Sequence, residues 1–166
     1  MQKTVTIVMG SKNDIEVMKK AGEVLKEFGI TYEIRALSAH RTPSKVIELA
    51  QGFKESGTKV VIAGAGMAAH LPGVMAALTT LPVIGVPLGS GGMGGMDALL
   101  AIAQMPPGIP VATVAVNGAK NAGILAVQIL AVGDEKIAEK LAEYRKKMVG
   151  EVEAADAEIL KMSFLK

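Results

Sequence analysis

The sequence predicts an α/β fold: a doubly wound parallel sheet in three layers, followed by an extended C-terminal helical segment. Three observations carry this. Short β-rich runs alternate with segments of helical spacing as far as about position 130, and such alternation calls for parallel strands joined by crossover helices on both faces of a sheet. The length, 166 residues, suits one domain spanning 1–166, with 134–164 as its helical extension. Every loop of unusual composition follows a strand, so these loops converge on the carboxyl edge of the sheet, where ligands of such folds sit.

The elements follow in order. Residues 1–9 read as a strand, with Val5-Thr6-Ile7-Val8-Met9 its β-rich part and Gly10-Ser11 its end. Ile15, Met18, Ala21, Val24, Leu25 and Phe28 keep helical spacing over 14–28, with Asn13 or Asp14 as cap and Gly29 as stop. Residues 31–37 form the next strand, and Pro43 opens a helix that runs to about Glu55. Further strands are expected at 59–63, 82–86 and 111–116, a loop at 64–69, and helices from about Pro72, over 96–103 and over 121–130. In the C-terminal part, Leu141, Tyr144, Met148, Val152, Ala155, Ile159 and Met162 recur at steps of three and four. They mark one long helix or two in succession, with Gly150 as the point of any bend. A sheet already covered on both faces leaves little room for this stripe, so it is expected to bury against another subunit. The alternative is a helix folded back on its own domain.

Composition narrows the function classes. Half of the chain is hydrophobic but only 3% is aromatic, so the core is built from Val, Ile, Leu, Ala and Met. A net charge of +2 is too mild to imply nucleic acid or a membrane surface. The chain has no cysteine, which excludes disulfides, thiolate chemistry and Cys-based zinc sites. No signal-peptide layout opens the chain, and Gly and Pro repeatedly break the apolar stretch 83–132. A soluble, cytoplasmic protein is expected.

Four loops hold the candidate chemistry. In Met9-Gly10-Ser11-Lys12-Asn13-Asp14 a strand meets a helix N-terminus, where backbone N–H groups and the helix dipole attract an anion such as phosphate. Ser11 adds a hydroxyl donor there. Asp14 repels phosphate but suits ribose hydroxyls; read blandly, Asn13 and Asp14 are ordinary caps. Ser38-Ala39-His40-Arg41-Thr42-Pro43 sets a hydroxyl, an imidazole and a guanidinium side by side. Arg41 can grip phosphate with its fork, and His40 can give and take a proton near neutral pH. In Gly64-Ala65-Gly66-Met67-Ala68-Ala69-His70 small side chains let a planar ring approach the backbone. Its spacing fails the dinucleotide fingerprint, because Ala69 stands in place of the third glycine. His70 either faces the site or caps the next helix. Residues 89–95 form a Gly-rich loop that can close over a ligand or simply lie on the surface. No P-loop is present, which argues against ATP use, and two histidines thirty positions apart without a carboxylate cluster make a metal unexpected.

Taken together, these loops resemble the carboxyaminoimidazole ribonucleotide mutase family of purine biosynthesis, also called the catalytic subunit of phosphoribosylaminoimidazole carboxylase. The matching runs are Met9-Gly10-Ser11 with Asp14, Ser38 to Pro43, Ala63-Gly64-Ala65-Gly66 through Ala68-Ala69-His70-Leu71-Pro72-Gly73, and Leu81-Pro82-Val83-Ile84-Gly85-Val86-Pro87. Two more are Gln104-Met105-Pro106 with Gly108-Ile109-Pro110-Val111-Ala112-Thr113, and Asn121-Ala122-Gly123.

The resemblance implies a flavodoxin-like sheet and a homo-octamer whose C-terminal helices reach across subunits. It implies an isomerase that needs no cofactor and converts N5-carboxyaminoimidazole ribonucleotide to the product carboxylated at ring carbon four, fed by a separate ATP-dependent synthetase. It implies that Ser11, Ser38 and Arg41 hold phosphate and Asp14 holds ribose. His40 is then the general acid/base, and Ala65, Gly66 and Leu71 line the pocket for base and carboxylate. Asn13, Ala39 and His70 complete the expected substrate site. The family's direct carboxylase, which takes aminoimidazole ribonucleotide and CO₂, is the alternative enzyme. A non-catalytic nucleotide-binding module is the alternative from another class. Two departures stand out: Asn13 where the family usually has Ser, and a segment 116–120 shorter than the usual turn.

Overall fold

A computed structural model describes residues 3–162. Strands β1 (Val5–Met9), β2 (Tyr32–Ala36), β3 (Val60–Gly66), β4 (Val83–Leu88) and β5 (Ala112–Thr113) form one parallel sheet in the order β2-β1-β3-β4-β5. The helices are α1 (Ile15–Glu27), α2 (Pro43–Gln51), α3 (Phe53–Ser56), α4 (Leu71–Leu78), α5 (Met96–Ala103), α6 (Ala119–Ala131) and α7 (Glu135–Lys161), and a 3-10 turn covers Lys12–Asp14. This is the flavodoxin-like, doubly wound arrangement that the alternation of elements predicts. The strand order reverses direction between β1 and β3, which is where such sheets open a crevice.

Period-two alternation distributes the strand side chains between two cores. Val5, Ile7 and Met9 of β1 join Ile62, Ile84 and Val86 under α1 and α6. Val8 joins Val61, Ala63 and Val83 on the other face, under Val46, Phe53, Met75 and Ile102. On α6, a Cβ at Gly123 would stand 2.9 Å from the backbone oxygen of Ala21, so glycine there lets α6 lie directly on α1. Thr6 is fully buried in the sheet, and its hydroxyl bonds the Thr58 hydroxyl at 3.0 Å.

Several boundaries differ from the sequence expectation. The helix expected from Pro43 to Glu55 is interrupted at Gly52, giving α2 and α3. β3 runs on to Gly66, so Gly64, Ala65 and Gly66 belong to the ladder rather than a loop, pairing with Val86, Pro87 and Leu88. The strand expected at 111–116 keeps only the pairs Ile84↔Ala112 and Gly85↔Thr113. The chain then turns away through the bond from Gly118 N to Ala115 O at 2.9 Å. Residues 1–2 of the expected first strand, and 163–164 of the C-terminal stripe, lie outside the described residues.

α7 is one continuous helix that passes through Gly150. Its cap is Asp134, whose Oδ1 accepts from Lys136 N at 3.0 Å and Ile137 N at 3.2 Å. The first half folds back on its own domain: Ile137, Leu141 and Tyr144 pack on the α1/α6 core. The Tyr144 ring lies 5.6 Å from that of Phe28, and Lys140 Nζ donates to Phe28 O at 3.1 Å. Every residue from 145 to 162 is exposed. Among the described residues no helix is long and apolar enough to cross a membrane.

Candidate active site

The loops after β1, β2, β3 and β4 enclose a cleft of ≈ 450 Å³ over the carboxyl edge of the sheet. All eleven residues singled out from the sequence line it: Ser11, Asn13, Asp14, Ser38, Ala39, His40, Arg41, Ala65, Gly66, His70 and Leu71. Gly10, Met67, Ala68, Ala69 and Ser90 line it as well.

The β1 loop is shaped by Ser11. Its Oγ accepts from Asn13 N at 3.2 Å, capping the 3-10 turn that leads into α1. Neither Asn13 nor Asp14 acts as the side-chain cap expected from their types; Asp14 occupies the N-cap of α1 without a side-chain cap bond. Ser11 takes that role because its extended backbone (φ −150°, ψ 151°) leaves the hydroxyl under the first free N–H. The Asp14 carboxyl is therefore available to the cleft. Partial burial pushes its pKa above the ordinary value; a backbone hydrogen bond at Ser11 and the nearby Arg41 guanidinium oppose that rise.

The β2 loop is a tight bonded unit. Thr42 N donates to Ser38 O at 2.9 Å, Ser38 N donates to Thr42 Oγ1 at 2.9 Å, and Arg41 N donates to Ser38 Oγ at 3.2 Å. Arg41 reaches across to the β1 loop, where its guanidinium donates to Gly10 O at 2.9 Å. Arg41 lines the cleft together with Ser11 and Ser38, and one bond uses only one of the guanidinium's five donors.

The β3 loop brings the second histidine. Two non-glycine residues adopt left-handed backbone there, Met67 (φ 55°) and Ala69 (φ 42°), which bends the chain sharply between β3 and α4. His70 sits at the N-cap of α4 but makes no cap bond with its side chain. Of the two roles left open by the sequence, it takes the one that faces the site: His40 Nε2 and His70 Nδ1 are 2.7 Å apart, with the rings edge-on at 78°. One nitrogen of that contact must carry the proton and the other accept it, so the pair can hold and pass a proton. The two residues are thirty positions apart, so no local spacing reveals the contact.

Ser90, on the Gly-rich β4 loop, is the polar cleft residue that sequence reasoning missed. The available signal was a single hydroxyl in a run otherwise made of Gly and Met at the carboxyl end of a strand. Its Oγ lies so close over Gly66 that a Cβ there would overlap it, so glycine at 66 is required for the two loops to meet. Among the described residues, no three His, Cys, Asp or Glu side chains are grouped to hold a metal ion.

Strand order and cleft together define a flavodoxin-like α/β protein with a polar, histidine-bearing crevice at its switch point. The chain belongs to the AIR carboxylase family, whose model matches residues 4–151. It is 56% identical over 148 residues to the N5-carboxyaminoimidazole ribonucleotide mutase of Thermotoga maritima, covering 89% of this chain and 86% of that one. It is also 56% identical to the Bacillus subtilis protein of the same name, covering 87% of this chain and 91% of the relative. Among solved structures it is similar to Treponema denticola PurE, with a TM-score of 0.85 and 30% identity over 95% of this chain and 98% of that one. A variant of Treponema denticola PurE2 superposes with a TM-score of 0.87 at the same identity and coverage.

Proposed function

We propose that this chain is an N5-carboxyaminoimidazole ribonucleotide mutase of purine biosynthesis, an isomerase that moves a carboxyl group from the exocyclic nitrogen of the substrate to ring carbon four. The observation that carries the reading is the His40–His70 contact inside a cleft that also holds Ser11, Ser38 and Arg41. The family and the mutase names of relatives at 53–56% identity support it.

Under this reading Ser11, Ser38 and Arg41 bind the phosphate, Asp14 accepts from the ribose hydroxyls, and Asn13 and Ala39 close the wall beside them. Ala65, Gly66 and Leu71 offer a flat, small-residue surface to the imidazole. His40 protonates the carbamate nitrogen as the N–C bond breaks, releasing CO₂ and the free amine. The electron-rich ring carbon attacks the retained CO₂ and forms the new C–C bond. The same imidazole then removes the proton left on that carbon, so proton uptake and release balance. His70 fixes the orientation of the His40 ring through the 2.7 Å contact. This chemistry asks for no cofactor or metal, but it needs CO₂ kept from solvent.

The same reading includes a single domain whose α7 reaches neighbouring copies in a homo-octamer. It also includes a cytoplasmic setting and a substrate supplied by an ATP-dependent synthetase. The family's description as a carboxylase keeps direct carboxylation as the second reading. A paired assay separates the two. Product from N5-carboxyaminoimidazole ribonucleotide without bicarbonate marks the mutase. Faster product from aminoimidazole ribonucleotide with saturating bicarbonate marks the carboxylase. Silence in both arms, with ligand still bound, leaves only a binding module.

A further inference from the structure

Segment 116–120 is joined to the Gly-rich β4 loop. Asn117 adopts left-handed backbone (φ 58°). Its Oδ1 accepts from Gly89 N at 2.9 Å, and its own N donates to Pro87 O at 2.8 Å. At the other end of the loop, a Cβ at Gly95 (φ 92°) would stand 2.6 Å from Val116 Cγ1. Residues 116 and 117 thus hold both ends of the loop, and the hydroxyl it presents to the cleft is that of Ser90, which lies over Gly66.

Sheet order fixes which end of a ligand meets that hydroxyl. Across the cleft the loops stand in the sequence β2, β1, β3, β4. The phosphate-type donors Ser38, Arg41 and Ser11 occupy the β2 and β1 side, and Ser90 stands on the opposite wall beyond Gly66. A ribonucleotide held by its phosphate on the first side presents the far edge of its ring to the β4 loop.

Resting on the mutase reading, we propose that Ser90 is a substrate-positioning residue that donates a hydrogen bond to the migrating carboxylate and to the CO₂ released from it, and that Asn117 sets its position through the Gly89 bond. A neutral hydroxyl suits this place, because it can follow the oxygen atoms from carbamate to CO₂ to carboxylate without adding a charge that would trap any one of them. Ser90 acts by holding CO₂ over the ring carbon while His40 moves the proton.

The test measures, for the wild type and three variants, kcat/KM for product and the fraction of N5-carboxyaminoimidazole ribonucleotide that leaves as aminoimidazole ribonucleotide and CO₂, corrected for enzyme-free decay. Ser90→Ala is expected to lower kcat/KM by about tenfold, the worth of one hydrogen bond to a charged group, and to raise the leaked fraction, with an unchanged thermal midpoint. Asn117→Gly keeps the left-handed backbone but removes the acceptor, and it is expected to leak in the same direction. Asn117→Asp keeps both and is expected to behave as wild type. A Ser90→Ala enzyme with wild-type kcat/KM and leakage overturns the proposal. If Asn117→Gly and Asn117→Asp behave alike, the bracing role of Asn117 falls. A wild-type chain without mutase product would sink the reading beneath it instead, which is a separate result.

Discussion

In the β2 loop, Ser38 and Thr42 share three hydrogen bonds across five residues: Thr42 N to Ser38 O, Ser38 N to Thr42 Oγ1, and Thr42 Oγ1 to Ser38 O at 3.1 Å. Arg41 then ties this unit to the β1 loop through Gly10 O. The distal half of α7 has nothing comparable. Val152, Ile159, Leu160 and Met162 are 54–76% exposed, and the ion pair Lys147–Glu151 at 3.9 Å is a surface contact of little worth. One region satisfies its own polar groups with neighbours in sequence. The other carries an apolar stripe that its own domain leaves uncovered. Changes in the first region should alter chemistry within an intact fold. Changes in the second should alter association, and stability only where α7 touches the core.

The largest effect is expected at His40. His40→Asn keeps a side chain of similar reach but cannot shuttle a proton, so turnover should fall by about 10²–10⁴-fold, while calorimetric binding of the product stays within a few-fold of wild type. Equal loss of binding and turnover would show that His40 serves only to shape the cleft. Arg41→Ala should come next. It removes a charged fork and the tie to Gly10 O, and a rise in KM of roughly tenfold to a hundredfold is expected. Raising the salt concentration should narrow the difference from wild type, because the interaction is electrostatic and partly exposed.

Within α7 the contrast can be broken residue by residue. Tyr144→Ala removes the ring packed 5.6 Å from Phe28, and about 2 kcal/mol of stability should be lost in urea unfolding. Ile159→Asp, one of the residues exposed on the distal half, should leave the intrinsic domain fold intact by near-UV circular dichroism. It should reduce the molar mass seen by light scattering. If Ile159→Asp destabilises the domain as much as Tyr144→Ala without changing that mass, the distal stripe has no role in association.

Where neighbours in sequence decide structure, the sequence was easily read. The alternation of Val, Ile and Ala runs with amphipathic stretches is a local pattern, and it produced β1 to β4 and the covering helices in the right order. Strand propensity at Val111, Val114 and Val116 predicts a longer β5, while the turn at Ala115 and Gly118 allows only two ladder pairs. All eleven chosen cleft residues converge because each loop lies at a strand's carboxyl end, a property of the topology rather than of any one motif. Contacts across the sheet edge were not legible: His70 meeting His40, Ser90 meeting Gly66 and Asn117 holding Gly89 all join loops that are 24 to 30 positions apart.

The smallest effect expected in the cleft concerns Asp14, where binding and stability are set against each other. Burial raises the pKa of its carboxyl in the folded chain above that of the unfolded chain. Such a group contributes its full share of stability below the unfolded pKa, and the share is lost as pH rises through the folded pKa. At neutral pH the ionised carboxylate is therefore a net cost to the fold, one held small by the Ser11 backbone and by Arg41. Asp14→Asn should be slightly more stable than wild type at pH 7, and the difference should vanish on acidification below the ordinary aspartate range of about 4. Under the proposed ribose contact its KM should rise, because an amide accepts more weakly from hydroxyls than a carboxylate does. Urea midpoints across that pH range and KM for the same protein check both halves. A variant that gains no stability at neutral pH shows that the Ser11 backbone bond and Arg41 together offset the burial of Asp14, and the cleft then carries no stability cost at this position.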